Sequence, residues 1–157
     1  MTRHPSHLSF PSPIGALTVF IEDNAIIVIE AGRVPGGNEQ DPLLKEARAQ
    51  LDAYFDGKLT DFDLPVAPAG PPRRQEIWRA MAKIPYGTTM SYGAFATEMK
   101  SSARAIGGAC GANPIPIVLP CHRVLAADGK IGGFSFSGGA ETKRQLLQLE
   151  GALSTLI

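Results

Sequence analysis

The run NPIPIVLPCHRVL, Asn113 to Leu125, places a thiol directly before an imidazole and a guanidinium at the end of an apolar segment. A thiol becomes a useful nucleophile when its pKa falls or when a base removes its proton. Both His122 and Arg123 favour a thiolate at Cys121. In a strand, adjacent side chains point to opposite faces, so Cys121 and His122 cooperate only if the backbone turns there or a water links them. Pro120 before the pair and the glycine-rich DGKIGG after it predict a turn or a helix start. On these residues alone, a hydrolase and a redox sensor fit as well as a group-transfer protein.

Upstream, SYGAFATEM and SSARAIGGACGAN predict two short helices joined by a tight turn, the pattern of a helix-turn-helix. The second helix carries Ala105, Gly107, Gly108 and Ala109, small residues that let it approach another surface closely. Before it, QEIWRAMAKIP predicts a helix with Ile77, Trp78, Met81 and Ile84 as its apolar stripe, stopped by Pro85. Downstream, ETKRQLLQLEG predicts a last helix ending at Gly151. In the first half, the β-branched runs Ala16–Glu22 and Ala25–Glu30 predict two strands joined at Asp23-Asn24. DPLLKEARAQLDAYFDG predicts a helix capped by Asp41 and opened by Pro42. The proline-rich LPVAPAGPPRR separates the halves. The expected fold is α/β in the α+β sense. Residues 1–66 form a small α/β domain with an antiparallel sheet, 67–73 a linker, and 74–157 a mostly helical domain with the helix-turn-helix.

Composition narrows the class. The chain of 157 residues is 44% hydrophobic and 19% charged, as in globular proteins. No apolar run approaches the roughly 18 residues of a membrane span, and the first residues lack the apolar core of a signal peptide. A soluble cytoplasmic protein is expected, with no membrane partner. Its two cysteines, Cys110 and Cys121, lie outside any zinc-ligand spacing, so no metal is expected. Cys110 is expected to be packing filler. His4 and His7 fall in an N-terminal segment expected to be mobile and without a chemical role. The net charge of zero hides an asymmetry: residues 1–72 carry five Lys/Arg against ten Asp/Glu, and residues 73–157 ten against five. Either the second half meets a polyanion or the two halves attract each other.

Four ordered landmarks, IPYGTTMSYGAFA, ARAIGGACGANPIPIVLPCHRV, GKIGGFS and SGGAETKRQLLQLEG, resemble the O6-alkylguanine-DNA alkyltransferases, direct-reversal repair proteins that flip an alkylated guanine out of the duplex and move the alkyl group onto a cysteine. The resemblance spans roughly Ile77 to Gly151, and the first half looks like the family's N-terminal α/β domain. It implies Cys121 as acceptor, His122 as its base through a water, and Glu150 as the acid that orients the histidine. It implies that Tyr92 donates to the guanine ring as charge develops, and that Asn113 is a hinge that fixes the Cys121 loop. Arg104 would fill the gap left by the flipped base, with Ala105, Gly107, Gly108, Ala109 and Arg123 completing the DNA-binding set. The carbonyls of Cys121 and Val124 would accept from the guanine amino group, and Ser135 or Ser137 would lie near its oxygen.

No cofactor is implied. The implied partner is double-stranded DNA carrying O6-alkylguanine, approached through the minor groove by a monomer that associates with the nucleoid when bound. O4-alkylthymine is a further substrate within the family's range. Two departures stand out: the segment between Tyr92 and Arg104 is shorter than the family pattern, and the lid GGFSFSGG is longer, with Phe134 and Phe136 as alternative pocket aromatics. The alternative reading is a non-catalytic lesion-binding protein of the alkyltransferase-like type. Those proteins replace the cysteine that this chain keeps.

Overall fold

The computed structural model describes residues 5–126, 130–132, 134, 136 and 138–152. The chain divides into two compact units, Met1–Ala69 and Gly70–Ile157.

In the first unit, β1 (Ser6–Phe10), β2 (Leu17–Glu22) and β3 (Ala25–Ala31) form an antiparallel sheet in that order. Asp23 and Asn24 both adopt left-handed backbone, φ 52° and 60°, as a two-residue hairpin turn matched to sheet twist requires. Helix α1 (Pro42–Phe55) begins where Asp41 Oδ1 accepts from the amides of Leu43 and Leu44. It buries Leu44, Ala47, Leu51 and Tyr54, and the sheet buries Leu8, Phe10, Leu17, Val19, Ile21, Ile26 and Ile29. The proline-rich run adds to the sheet: Ile26 donates to Pro65 O at 2.8 Å, and Ala67 donates to Ile26 O at 2.8 Å. Strand β1 corrects the expectation of a mobile N-terminus. His7 lies in it, with Nε2 at 2.9 Å from Pro35 O and its ring 5.5 Å from that of Phe20. The strand escapes sequence reading because it is short and interrupted by serines. His4 lies outside the described residues.

The second unit opens with α2 (Pro72–Met81). Pro72 and Arg73, assigned to the linker from sequence, form its first turn, since a proline at the helix start gives up an amide that has no partner there anyway. Beyond Met81 the chain tightens into turns, and Ile84 is still buried. Next come β4 (Met90–Ser91), α3 (Tyr92–Glu98) and α4 (Ala103–Gly111). Ser91 Oγ caps α3 at Ala94 N (3.0 Å), and Ser102 Oγ caps α4 at Ala105 N (3.1 Å). A 3₁₀ turn covers Cys121–Arg123 and leads into β5 (Val124–Leu125), which pairs parallel with β4. The chain returns as α5 (Gly139–Leu149). Trp78, Phe95, Ile106, Ile115, Ile117, Val124, Leu146 and Leu147 are all buried, so one core lies beneath the 3₁₀ turn. The β4–β5 pairing matters most for function, because Ser91 opposite Leu125 brings the start of α3, and so Tyr92, alongside Cys121–Val124.

Candidate active site and DNA-binding helix

The turn that the Cys-His pair requires is built by the residues before it. Asn113 Oδ1 accepts from Ile115 N at 2.9 Å, and its Nδ2 donates to Leu119 O at 2.8 Å, so one buried amide spans the loop. Ile117 has φ 77°, a rare conformation for a β-branched residue and a sign of stored strain. Pro120, at φ −81° and ψ 67°, forms an inverse γ-turn in which Cys121 N donates to Leu119 O at 2.8 Å. The 3₁₀ turn follows at once, so Cys121 and His122 are not held on the opposite faces of a strand.

Behind Cys121 lies a buried charged group. His122 Nε2 donates to Glu150 Oε2 at 2.7 Å. Since a carboxylate only accepts, the ring proton sits on Nε2 and Nδ1 carries the lone pair. That Nδ1 is buried without a hydrogen-bond partner among the described residues. Burial pushes the His122 pKa below its usual 6.5, against the pull of Glu150, so the ring is neutral and basic at neutral pH. Glu150 caps the end of α5 and also receives Arg123, whose Nε meets Oε1 at 2.8 Å and whose Nη2 meets Oε2 at 3.0 Å. Arg123 Nη1 donates to Ile84 O at 2.6 Å. A buried carboxylate is costly unless paired, and this bidentate guanidinium neutralises it.

This geometry corrects the placement of Arg123. It is 5% exposed and engaged with Glu150, not presented at a DNA-facing surface. The cation near the thiol is Lys143, which sequence reading missed. Lys143 is fully buried on the apolar side of α5, donates from Nζ to Val124 O at 2.8 Å, and lies 5.6 Å from the centre of the Tyr92 ring. The signal was available: Lys143 stands three and four residues before Leu146 and Leu147, on the stripe that packs inward. One lone pair of the Val124 carbonyl, expected to face guanine, is therefore taken by Lys143. Burial raises the Cys121 thiol above its usual range, and a hydrogen bond from Asn113 and the charge of Lys143 offset only part of that rise. Tyr92 is half-buried with its pKa pushed up to about 12, mainly by burial and then by the two cysteines, so its hydroxyl keeps its proton. Cys110 is buried with its thiol pushed up to about 12, as packing filler would be.

On α4, Arg104, Ala105 and Gly108 are exposed and Gly107 is half-buried. Ala109 is not on that face. It is fully buried, and its carbonyl accepts from Trp78 Nε1 at 2.8 Å, because the helical period turns it inward with Ile106. Among the described residues, beyond the chain neighbours and the helix's own backbone, no atom lies within 4 Å of where a Cβ on Gly107 or Gly111 would stand, and the nearest to Gly108 is Arg74 Nη2 at 4.0 Å. Nothing inside the unit requires glycine there, although each helical glycine costs roughly 0.5–1 kcal/mol against alanine. Ser135 and Ser137 lie outside the described residues. Among the described residues no cluster of three His, Cys, Asp or Glu side chains could hold a metal.

A buried cysteine followed at once by a histidine that a buried carboxylate holds, in the same unit as a helix-turn-helix, fits a DNA-binding protein that uses a thiol. Two family models match: the 6-O-methylguanine DNA methyltransferase DNA-binding domain over residues 72–152 and the ribonuclease-like domain of the same proteins over residues 8–68. The chain belongs to the 6-O-methylguanine DNA methyltransferase family. It is 38% identical to the methylated-DNA–protein-cysteine methyltransferase of Haemophilus influenzae, over 90% of this chain and 83% of that protein. It is 41% identical to the protein of that name in Mycobacterium bovis, over 88% of both. Among solved structures, it resembles the Mycobacterium tuberculosis O6-methylguanine methyltransferase, with TM-score 0.82, 36% identity, and 98% and 97% of the two chains covered. It also resembles the M. tuberculosis OGT in complex with DNA, with TM-score 0.82, 38% identity, and 94% and 93% coverage.

Proposed function

We infer that this protein carries out direct-reversal DNA repair, transferring the alkyl group of O6-alkylguanine to its own Cys121 in a single turnover. The observation that carries the reading is the buried Nδ1 of His122, without a hydrogen-bond partner among the described residues, on the residue that follows a buried thiol in the chain, with the opposite nitrogen fixed by Glu150. His122 accepts the Cys121 proton at Nδ1, through a water, and Glu150 stabilises the imidazolium that results. Arg123 holds Glu150 in place and is a positioning residue. The Cys121 thiolate, favoured by Lys143 and by the Asn113 amide, attacks the alkyl carbon in line. The S–C bond forms as the C–O bond breaks, and the electron pair passes into the guanine ring. The Tyr92 hydroxyl donates to the ring as that charge develops. The proton balance closes when guanine regains the proton that the thiol gave up in net terms. The thioether is stable, so each molecule acts once and needs no cofactor.

The DNA-binding reading rests on α4. Its glycine-rich exposed face allows close approach to a duplex by way of the minor groove, and Arg104 fills the stack after the alkylated base turns out. Turning the base out costs a few kcal/mol, which these contacts offset. Guanine is the principal target, with O4-alkylthymine as a secondary one, and a monomer acts. The location is the cytoplasm, on the nucleoid when DNA is bound.

The test is intact mass after equimolar mixing with a duplex carrying one O6-methylguanine, for the wild type and Cys121→Ser. The expected result is a gain of one methyl group on the wild type alone, localised to Cys121. Lesion binding without mass gain would move the protein to the non-catalytic class. The absence of both mass gain and lesion binding would sink both readings.

A further inference from the structure

We propose that Arg73 is a positioning residue that fixes recognition helix α4 by clamping the tight turn before it. The inference rests on the functional reading above but concerns residues outside the site.

The turn between α3 and α4 has little chain to work with. Helix α3 ends at Glu98 and Ser102 already caps α4. Between them the chain makes a Schellman ending, with Ser101 N donating to Ala96 O at 2.8 Å and Lys100 N to Thr97 O at 3.2 Å. The residue in the left-handed position is Lys100, φ 55°, where glycine is the usual occupant. A side chain there costs roughly 1–2 kcal/mol, so the turn is strained and needs support from elsewhere. The carbonyl of Met99, at the C-terminal cap of α3, lacks a helical partner as the last carbonyls of any helix do. Arg73 supplies one: its Nη2 donates to Met99 O. Its other arm is held by Glu76, with Nη1 at 2.9 Å from Oε2.

The guanidinium therefore ties the first turn of α2 to the turn ahead of α4. An exposed Arg–Glu pair alone contributes little stability. Its consequence here is geometric, because it aims a five-donor fork at one carbonyl. The same helix grips α4 near its other end, where Trp78 Nε1 donates to Ala109 O. Helix α2 thus holds both the turn ahead of α4 and α4 itself near its far end, which sets the angle at which the Arg104 face meets DNA. The competing explanation is that Arg73, 46% exposed, contacts a phosphate directly.

The experiment compares the full-length wild type with Arg73→Gln and Arg73→Lys. It measures alkyl transfer to Cys121 from a duplex carrying O6-methylguanine and from free O6-benzylguanine, the salt dependence of duplex binding, and amide exchange across residues 99–106. The clamp predicts about a tenfold loss of duplex transfer in Arg73→Gln, the scale of one charge-assisted hydrogen bond. It predicts unchanged transfer from the free base, faster exchange in the turn, an unchanged salt slope and partial rescue by lysine. A variant that merely unfolds loses both transfer reactions. A salt slope lower by about 0.9 with unchanged exchange would assign Arg73 to a phosphate and overturn the clamp. Unchanged duplex transfer would overturn it too. If the wild type transfers from neither substrate, the functional reading fails, while the exchange measurement still decides the clamp.

Discussion

The catalytic role proposed for His122 comes at the expense of acid stability. Sealed from solvent, His122 is held neutral, with its pKa pushed down from 6.5 by burial. The unfolded chain binds a proton there below 6.5, and the folded chain does not until a lower pH. Protonation therefore favours unfolding over that window, and stability falls as pH drops from neutrality through 6.5. Urea unfolding midpoints across a pH series are expected to show this decline, and His122→Gln, which keeps a donor for Glu150, to show a shallower one. An equal decline in both would place the proton uptake elsewhere. At this scale the sequence was informative where the signal for the backbone is local. Cys121 and His122 are adjacent, and the tight turn that makes them useful follows from Pro120. Arg123 misled because its position next to the thiol said nothing of Glu150, 27 residues on, which claims its guanidinium.

Helix α4 holds the element-scale lesson. Its glycines at 107, 108 and 111 weaken the helix with no packing reason among the described residues, which suits the DNA-facing role proposed above. Gly107→Ala is expected to raise stability by roughly 0.5–1 kcal/mol, read from a urea midpoint, while lowering affinity for an alkylated duplex. A variant that is more stable and binds DNA equally well would detach that face from DNA. Helical period, applied strictly, would have turned Ala109 inward with Ile106 from the start. Caps, prolines and hydrophobic stripes located α1, α3, α4 and α5 well, because those signals are local. Strand β1 was missed because its short, serine-interrupted run depends on pairing with β2, whereas the earlier start of α2 and the inward Lys143 left local signals, in Pro72 and in the Leu146–Leu147 stripe.

At the scale of the whole chain, two compact units carry opposite charge, five excess acids in residues 1–72 and five excess bases in residues 73–157. The boundary near the proline-rich run was legible as a change in composition. The site was legible only in part, since a buried carboxylate and a buried lysine from α5 meet the 3₁₀ segment and the Ile84–Gly87 turn. That convergence has a consequence for the spent molecule. Cys121 is 3% exposed, and under the function proposed above the thioether it gains stays for the life of the protein. Interiors are dense enough that an added methyl forces its neighbours to move, at about 1–3 kcal/mol. The alkylated form should therefore unfold at lower urea than the fresh one, with the larger loss for the larger adduct. Repair then leaves its own mark on the folded chain: the lesion taken from DNA persists as a wedge, and used molecules differ from unused ones in how readily they come apart.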